Sequence, residues 1–291
     1  MTFGEKLRDS RKKAGLSQEE LAEKLNVSRQ AITKWETDNG IPDISNLMSI
    51  SNLFSISVDD FISEEKTAQV VKSRLYESIT EYDIDGKKNF DIKLGGARQI
   101  SISGSNDEKI KLILSSDSLE NLKQDFKTKI DDIKGRIDVE VHRAKTVSET
   151  SAKNELYIDV ILPDKYMSHA EIDASGKDLR LSDIICPDLE FDGRADSILI
   201  ENHTGRIEIN CNLDMKIEAV SINGSIEINQ VKATSRISIP REQEFRMVVK
   251  GIGTSVLYEE NGKQTEDFSS PDSENIIVLN GIKSELIIER V

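Results

Sequence analysis

The sequence predicts a multidomain α plus β protein, a helical head followed by an all-β body. Three observations carry this: apolar residues recur at helical spacing up to about residue 62, they alternate with period two after residue 83, and Thr204-Gly-Arg-Ile-Glu-Ile-Asn210 returns almost unchanged as Asn223-Gly-Ser-Ile-Glu-Ile-Asn229, offset by 224 − 205 = 19. The expected division is 1–65 for the head, 66–82 for a linker that a helix would also fit, and 83–291 for the body.

In the head, Phe3, Leu7 and Ala14 form one stripe, Leu21, Ala22 and Leu25 a second, and Val27, Ala31, Ile32 and Trp35 a third. Ile44, Leu47, Met48, Ile50, Leu53 and Phe54 give a fourth helix, and a short fifth is expected around Val58 to Ile62. Ser17 followed by Glu20 is a capping box, in which the serine oxygen accepts the Glu20 backbone N–H and the glutamate accepts the serine N–H. Ser28 caps the next helix, while Gly15 and Gly40-Ile-Pro42 break the chain between helices. From Ser63 to Tyr82 a thin stripe of Val70, Val71, Leu75 and Ile79 runs through polar sequence, which reads as the linker.

The body opens with short half-buried strands such as Ile100-Ser-Ile102 and Ile137-Asp-Val139-Glu-Val141. One inserted helix is expected, because Leu119, Leu122, Phe126, Ile130 and Ile133 are spaced 3, 4, 4 and 3 apart before Gly135. A Gly-initiated strand recurring at about 20 residues predicts an irregular β-solenoid, whose coils bury aliphatic side chains against their neighbours. A β-sandwich is the alternative, since the repeat is irregular.

The chain has 291 residues, 39 Lys+Arg and 53 Asp+Glu, hence a formal charge of −14. Taken alone, that balance argues against a polyanionic partner. It is unevenly spread: residues 1–40 hold eight basic and seven acidic residues, 8 − 7 = +1, and between Lys24 and Trp35 three are basic and none acidic. The longest aliphatic runs are about four residues, against the roughly 20 of a membrane span, and the charged start is unlike a secretory signal. Two cysteines, Cys186 and Cys211, fit a reducing compartment. A cytoplasmic protein is expected.

The segment from Ser17 to Glu36 carries the function. Two short helices joined at Asn26-Val27 leave Arg29, Gln30, Thr33 and Lys34 projecting from one end and face of the second, while Ala31, Ile32 and Trp35 turn inward. That is helix-turn-helix geometry, in which the second helix enters the major groove. Arginine suits guanine O6/N7 and glutamine suits adenine N6/N7, because each pairs bidentately there.

Leu16-Ser-Gln-Glu-Glu-Leu-Ala, Asn26-Val-Ser-Arg-Gln-Ala-Ile and Lys34-Trp-Glu make residues 3–62 resemble the Xre/Cro family of helix-turn-helix regulators. The resemblance implies five helices and a homodimer on an inverted repeat of double-stranded DNA. It implies Gln18 as a phosphate contact, Ser28 and Lys34 as backbone contacts, Arg29, Gln30 and Thr33 as base readers, and an internal Arg11–Glu36 salt bridge. The body resembles the adhesin-like β-solenoid domains found behind such modules or in bacterial envelope-stress proteins, a likeness resting on short Gly-initiated repeats.

Other chemistry finds little support. His142 falls on the polar side of a strand, His203 sits in Asn-His-Thr-Gly, which reads as a turn, and these two and His169 read as ordinary surface histidines. Cys186 and Cys211 lack zinc-ligand spacing, although adjacent coils would allow them to stack. Asp83-Ile-Asp85-Gly86 begins like a calcium loop, yet Leu94 stands where the bidentate glutamate belongs. Glu190, Glu208, Glu218 and Glu227 read as solvated strand faces. No catalytic residue, metal site or cofactor is expected. The expectation is a sequence-specific transcriptional regulator, with the β body for dimerisation or effector sensing. The alternative is a scaffold or adaptor whose body binds a protein or envelope component.

Overall fold

The computed structural model describes residues 3–14, 16–36, 40, 42–54 and 74–291. The chain divides into two compact units, Met1–Ser73 and Arg74–Val291.

The first unit contains α1 (Phe3–Lys13), α2 (Gln18–Leu25), α3 (Arg29–Glu36) and α4 (Ile44–Phe54). The capping box is present at Ser17 and Glu20, and Asn26 ends α2 in the left-handed conformation at φ 54°, where a short polar side chain is tolerated. Ser28 Oγ accepts the Ala31 N–H at 3.2 Å at the start of α3. Leu7, Leu21, Ala22, Leu25, Ile32, Trp35 and Ile50 form the core. The expected fifth helix lies outside the described residues.

The second unit starts with β1 (Tyr76–Asp83), β2 (Lys88–Ser105) and β3 (Lys109–Ser116), then a single helical turn, α5 (Leu122–Asp125), followed by β4 (Phe126–Ile133) and β5 (Arg136–Arg143). After α6 (Glu149–Glu155) come β6 (Tyr157–Pro163), β7 (Met167–Ser182), β8 (Ile185–Arg194), β9 (Ser197–Glu201) and β10 (Thr204–Asn210). The remainder is β11 (Lys216–Ala219), β12 (Gly224–Val231), β13 (Thr234–Ile239), β14 (Arg246–Ile252), β15 (Ser255–Glu260), β16 (Lys263–Thr265), β17 (Ile276–Ile282) and β18 (Glu285–Arg290). Two expectations are corrected here. Tyr76–Tyr82, assigned to the linker, is part of strand β1, and the inserted helix over 119–133 is mostly β4.

The strands stack in parallel register as two-stranded coils. In one sheet β5, the first half of β2, the first half of β7, β8, β10, β12, β17 and β14 follow one another. In the other, β6, the second halves of β2 and β7, β9, β11, β13, β18 and β15 do the same. This is the coil of a solenoid; an antiparallel sandwich would not give these registers. Antiparallel strands close the first end, with β4 beyond β5 and β3 and β1 beyond β6. Spatial order departs from chain order at the other end, where β17–β18 lies between β12–β13 and β14–β15.

Parallel register turns sequence repeats into ladders. Gly205 pairs with Gly224 and Asn210 with Asn229, so the 19-residue offset is one coil. Ile172, Phe191, Ile209, Ile228 and Leu279 are register partners along one buried column. Their outward neighbours Glu190, Glu208 and Glu227 are also partners, and Arg206 bonds Asp188, Glu208 and Glu227 across them. Glu218 sits in the other sheet, on β11. The outward carboxylate row is thus a half-buried, partly neutralised ladder.

Candidate nucleic-acid interface

In the head, α3 has two sides. Ile32, Trp35 and Glu36 are buried, whereas Arg29, Gln30, Thr33 and Lys34 are exposed, as is Ser28 just before the helix. Helical spacing alone puts 29, 30, 33 and 34 on adjoining faces away from 32 and 35; Glu36 shares the face of Arg29 two turns on and is buried at the other end of the helix. The local geometry therefore presents the polar residue types of a groove-reading helix on its solvent side.

Gln18 opens α2 and is half-buried. Its amide nitrogen donates to Glu36 Oε2 at 2.8 Å, and its amide oxygen accepts from the Thr33 hydroxyl at 3.4 Å. The same Glu36 carboxylate receives Arg11 Nε at 2.5 Å and Nη2 at 3.0 Å, while Arg11 Nη1 donates to the Leu16 carbonyl at 2.8 Å. Burial by itself would raise the Glu36 pKa; hydrogen bonds from Arg11 and Gln18 and the guanidinium charge outweigh it and hold the carboxylate below its usual range. The result is a fixed strut that joins α1, the start of α2 and the end of α3. Sequence reading paired Arg11 with Glu36 but missed Gln18 as its third member; a polar residue at a helix start facing a buried acid carries no spacing signal.

Arg29 Nε lies 3.8 Å from Glu19 Oε2, both well exposed. Such a surface pair is worth about 1 kcal/mol at most, so the guanidinium is easily redirected to another acceptor.

Residues 7–61 match the helix-turn-helix family. A regulator of Bacillus subtilis, ImmR, is 34% identical over 86 residues, covering 28% of this chain and 68% of its own length. The chain belongs to the Xre-type helix-turn-helix family. BcrR, a transcriptional activator of Enterococcus faecalis, is 47% identical over 66 residues, which are 23% of this chain and 32% of BcrR. The match thus spans about a third of that activator. The immunity repressor protein of Bacillus phage phi105 is 33% identical over 84 residues, 29% of this chain and 58% of its own. Among solved structures, a candidate cell adhesion protein of Clostridium sporogenes has 15% identity and a TM-score of 0.38, covering 74% of this chain and 99% of that one. A candidate adhesin of Bacteroides fragilis has 12% identity and a TM-score of 0.34, covering 75% and 99%.

Outside the helix-turn-helix, two sequence readings change. Cys186 and Cys211 are free and buried, but Cys186 stands near the start of β8 and Cys211 just past the end of β10. Parallel strands put them about 20 Å apart, too far to stack. His142 is exposed with Nε2 2.7 Å from Glu140, and His169 Nδ1 is 3.0 Å from Asp188. His203, expected at the surface, is 2% exposed. Neither of its ring nitrogens has a hydrogen-bond partner among the described residues.

Burial lowers the His203 pKa below the ordinary histidine value. A depressed folded value means that the stability of the neutral-ring state is complete above the unfolded pKa, about 6.5, and is lost as pH falls through the folded value. Leucine would match the buried corner residues Ile184 and Ile222, which lie just before β8 and β12. His203→Leu is expected to flatten the decline in melting temperature between about pH 7 and 5. An unchanged slope would assign that decline to other groups.

Among the described residues, no helix is long and apolar enough to cross a membrane.

Proposed function

We propose that the protein is a sequence-specific DNA-binding transcriptional regulator that reads an inverted-repeat operator as a homodimer. The carrying observation is the two-sided α3, whose buried edge is tied to α1 and α2 through Glu36 while Arg29, Gln30, Thr33 and Lys34 stand in solvent. In this reading α3 enters the major groove, Arg29, Gln30 and Thr33 face base edges, and Ser28, Lys34 and Gln18 take phosphates. Gln18 makes its contact beside Thr33, at the N-terminus of α2, where free N–H groups favour an anion. Two such helices would address half-sites about 34 to 36 Å apart or a multiple of it. The β unit then serves dimerisation or effector sensing.

Retention of the full chain on duplex DNA as salt rises is the direct test, because phosphate neutralisation makes log K fall linearly with log salt. No retention at low salt would refute the reading and leave the adaptor role. The base readers have a separate test. Each bidentate contact is worth about 1 to 3 kcal/mol of discrimination, so the Arg29→Ala, Gln30→Ala double variant should select a relaxed consensus from randomised duplexes. Gln18→Ala should weaken binding to all sequences alike. Recovery of the wild-type consensus by the double variant would remove Arg29 and Gln30 from base reading.

A further inference from the structure

The two ends of the coil stack are finished differently. Beyond β5 and β6 lie antiparallel strands, whereas β14 pairs on one side only, with β17. Among the described residues its other edge carries no strand.

Register fixes which groups that edge offers. The Arg246 N–H donates to the Asn275 carbonyl, and the Ile252 carbonyl accepts from the Lys283 N–H. In a parallel ladder these residues, and with them Val248 and Lys250, direct both main-chain groups toward β17. Met247, Val249 and Gly251 therefore direct theirs outward. The side chains of Met247 and Val249 continue the buried core, opposite Ile277 and Leu279. Val249 ends the column Ile228–Leu279–Val249, and with no coil beyond it remains 48% exposed.

We propose that β14 is a self-association edge, on which the β14 of a second copy pairs antiparallel about a two-fold axis through Val249. That register sets Val249 opposite Val249 of the second copy and Met247 opposite its Gly251, all three with outward-facing N–H and C=O groups. Every open group of Met247, Val249 and Gly251 is then satisfied, and the two core columns meet. Charge selects the same register. Arg246 faces Ile252 of the other copy and Lys250 faces Val248. A slip of two residues one way sets Lys250 against Lys250, and the other way sets Arg246 against Lys250. A slip of one residue aims open groups at groups already bonded to β17. On the second sheet β16 lies outside β15, so the copies join along β14 alone. The contact is independent of the DNA-binding reading.

Sedimentation of the full chain between about 1 and 100 μM tests it, a span suited to a one-strand contact whose hydrogen bonds each contribute about 1 kcal/mol. Val249→Pro removes one outward N–H from each copy and spares the ladder to β17; proline is tolerated where an edge N–H faces solvent. The wild type should be dimeric and the variant's dissociation constant raised about tenfold to hundredfold, with its melting temperature retained. If that variant misfolds, cysteine decides. Val249→Cys places two sulfurs on the axis, at a backbone separation a disulfide accepts, about 5.5 Å. Ile252→Cys, 77% exposed in the wild type, places them about 20 Å apart. Oxidation should couple the first variant and not the second. A monomeric wild type, an undiminished Val249→Pro dimer, or equal coupling of the two cysteine variants would overturn the proposal.

Discussion

Arg11→Met should unfold the helical head although it substitutes no residue of the α3 solvent face. Glu36 has a side chain 2% exposed and takes two hydrogen bonds from Arg11, itself 11% exposed. Removing one partner of a buried pair strands the other charge and costs about 3 to 5 kcal/mol. A domain of about 65 residues has little more stability than that. The lower-temperature transition in calorimetry should therefore move to or below room temperature, and DNA retention should vanish with it. Replacing both charges, as in Arg11→Met with Glu36→Leu, should recover much of the loss because no unpaired charge remains. Equal melting of Arg11→Met and wild type would show that the strut does not hold the head together.

Gly224→Ala is expected to damage the β unit far more than a methyl added at an open glycine. Gly224 has φ +128°, and a Cβ there would lie 2.2 Å from the Gly205 carbonyl oxygen in the adjacent coil. Gly205, at φ +116°, meets the Cys186 carbonyl oxygen at 1.9 Å in the same way. Backbone strain and overpacking each cost about 1 to 3 kcal/mol, so a loss near 3 kcal/mol or more should appear in the melting of the β unit. Gly86→Ala, with nothing within 4 Å of the added carbon, is the matched control. Similar melting temperatures for the two variants would mean that the coils separate readily enough to admit a methyl.

These glycines show why the body was partly legible. Gly-Arg-Ile-Glu-Ile-Asn and Gly-Ser-Ile-Glu-Ile-Asn sit in register on neighbouring coils, so the sequence offset and the spatial repeat are the same quantity. The β4 segment was misread because Leu122, Phe126 and Ile130 are four apart, a spacing compatible with helix and strand alike. Pairing decides between them: β4 lies antiparallel on β5, with Phe126 inward and Ile133 half exposed. His203 was misplaced for a similar reason, since a polar turn sequence does not reveal that its corner is covered by neighbouring coils. In the head, Ser17 and Glu20 were legible because a capping box acts within a single helical turn, whereas Arg11 and Glu36, 25 residues apart, were paired only through the family resemblance.

The interleaving of β17–β18 between β12–β13 and β14–β15 alters what a truncation means for this chain. Repeat proteins are usually shortened from an end, each cut removing the outermost layer and leaving a complete shorter array. Here a stop codon before Ile276 removes an inner layer. β14 and β15 would remain in the chain without β17 and β18, the strands that join them to β12 and β13, and the truncated product would present two unmatched surfaces instead of one.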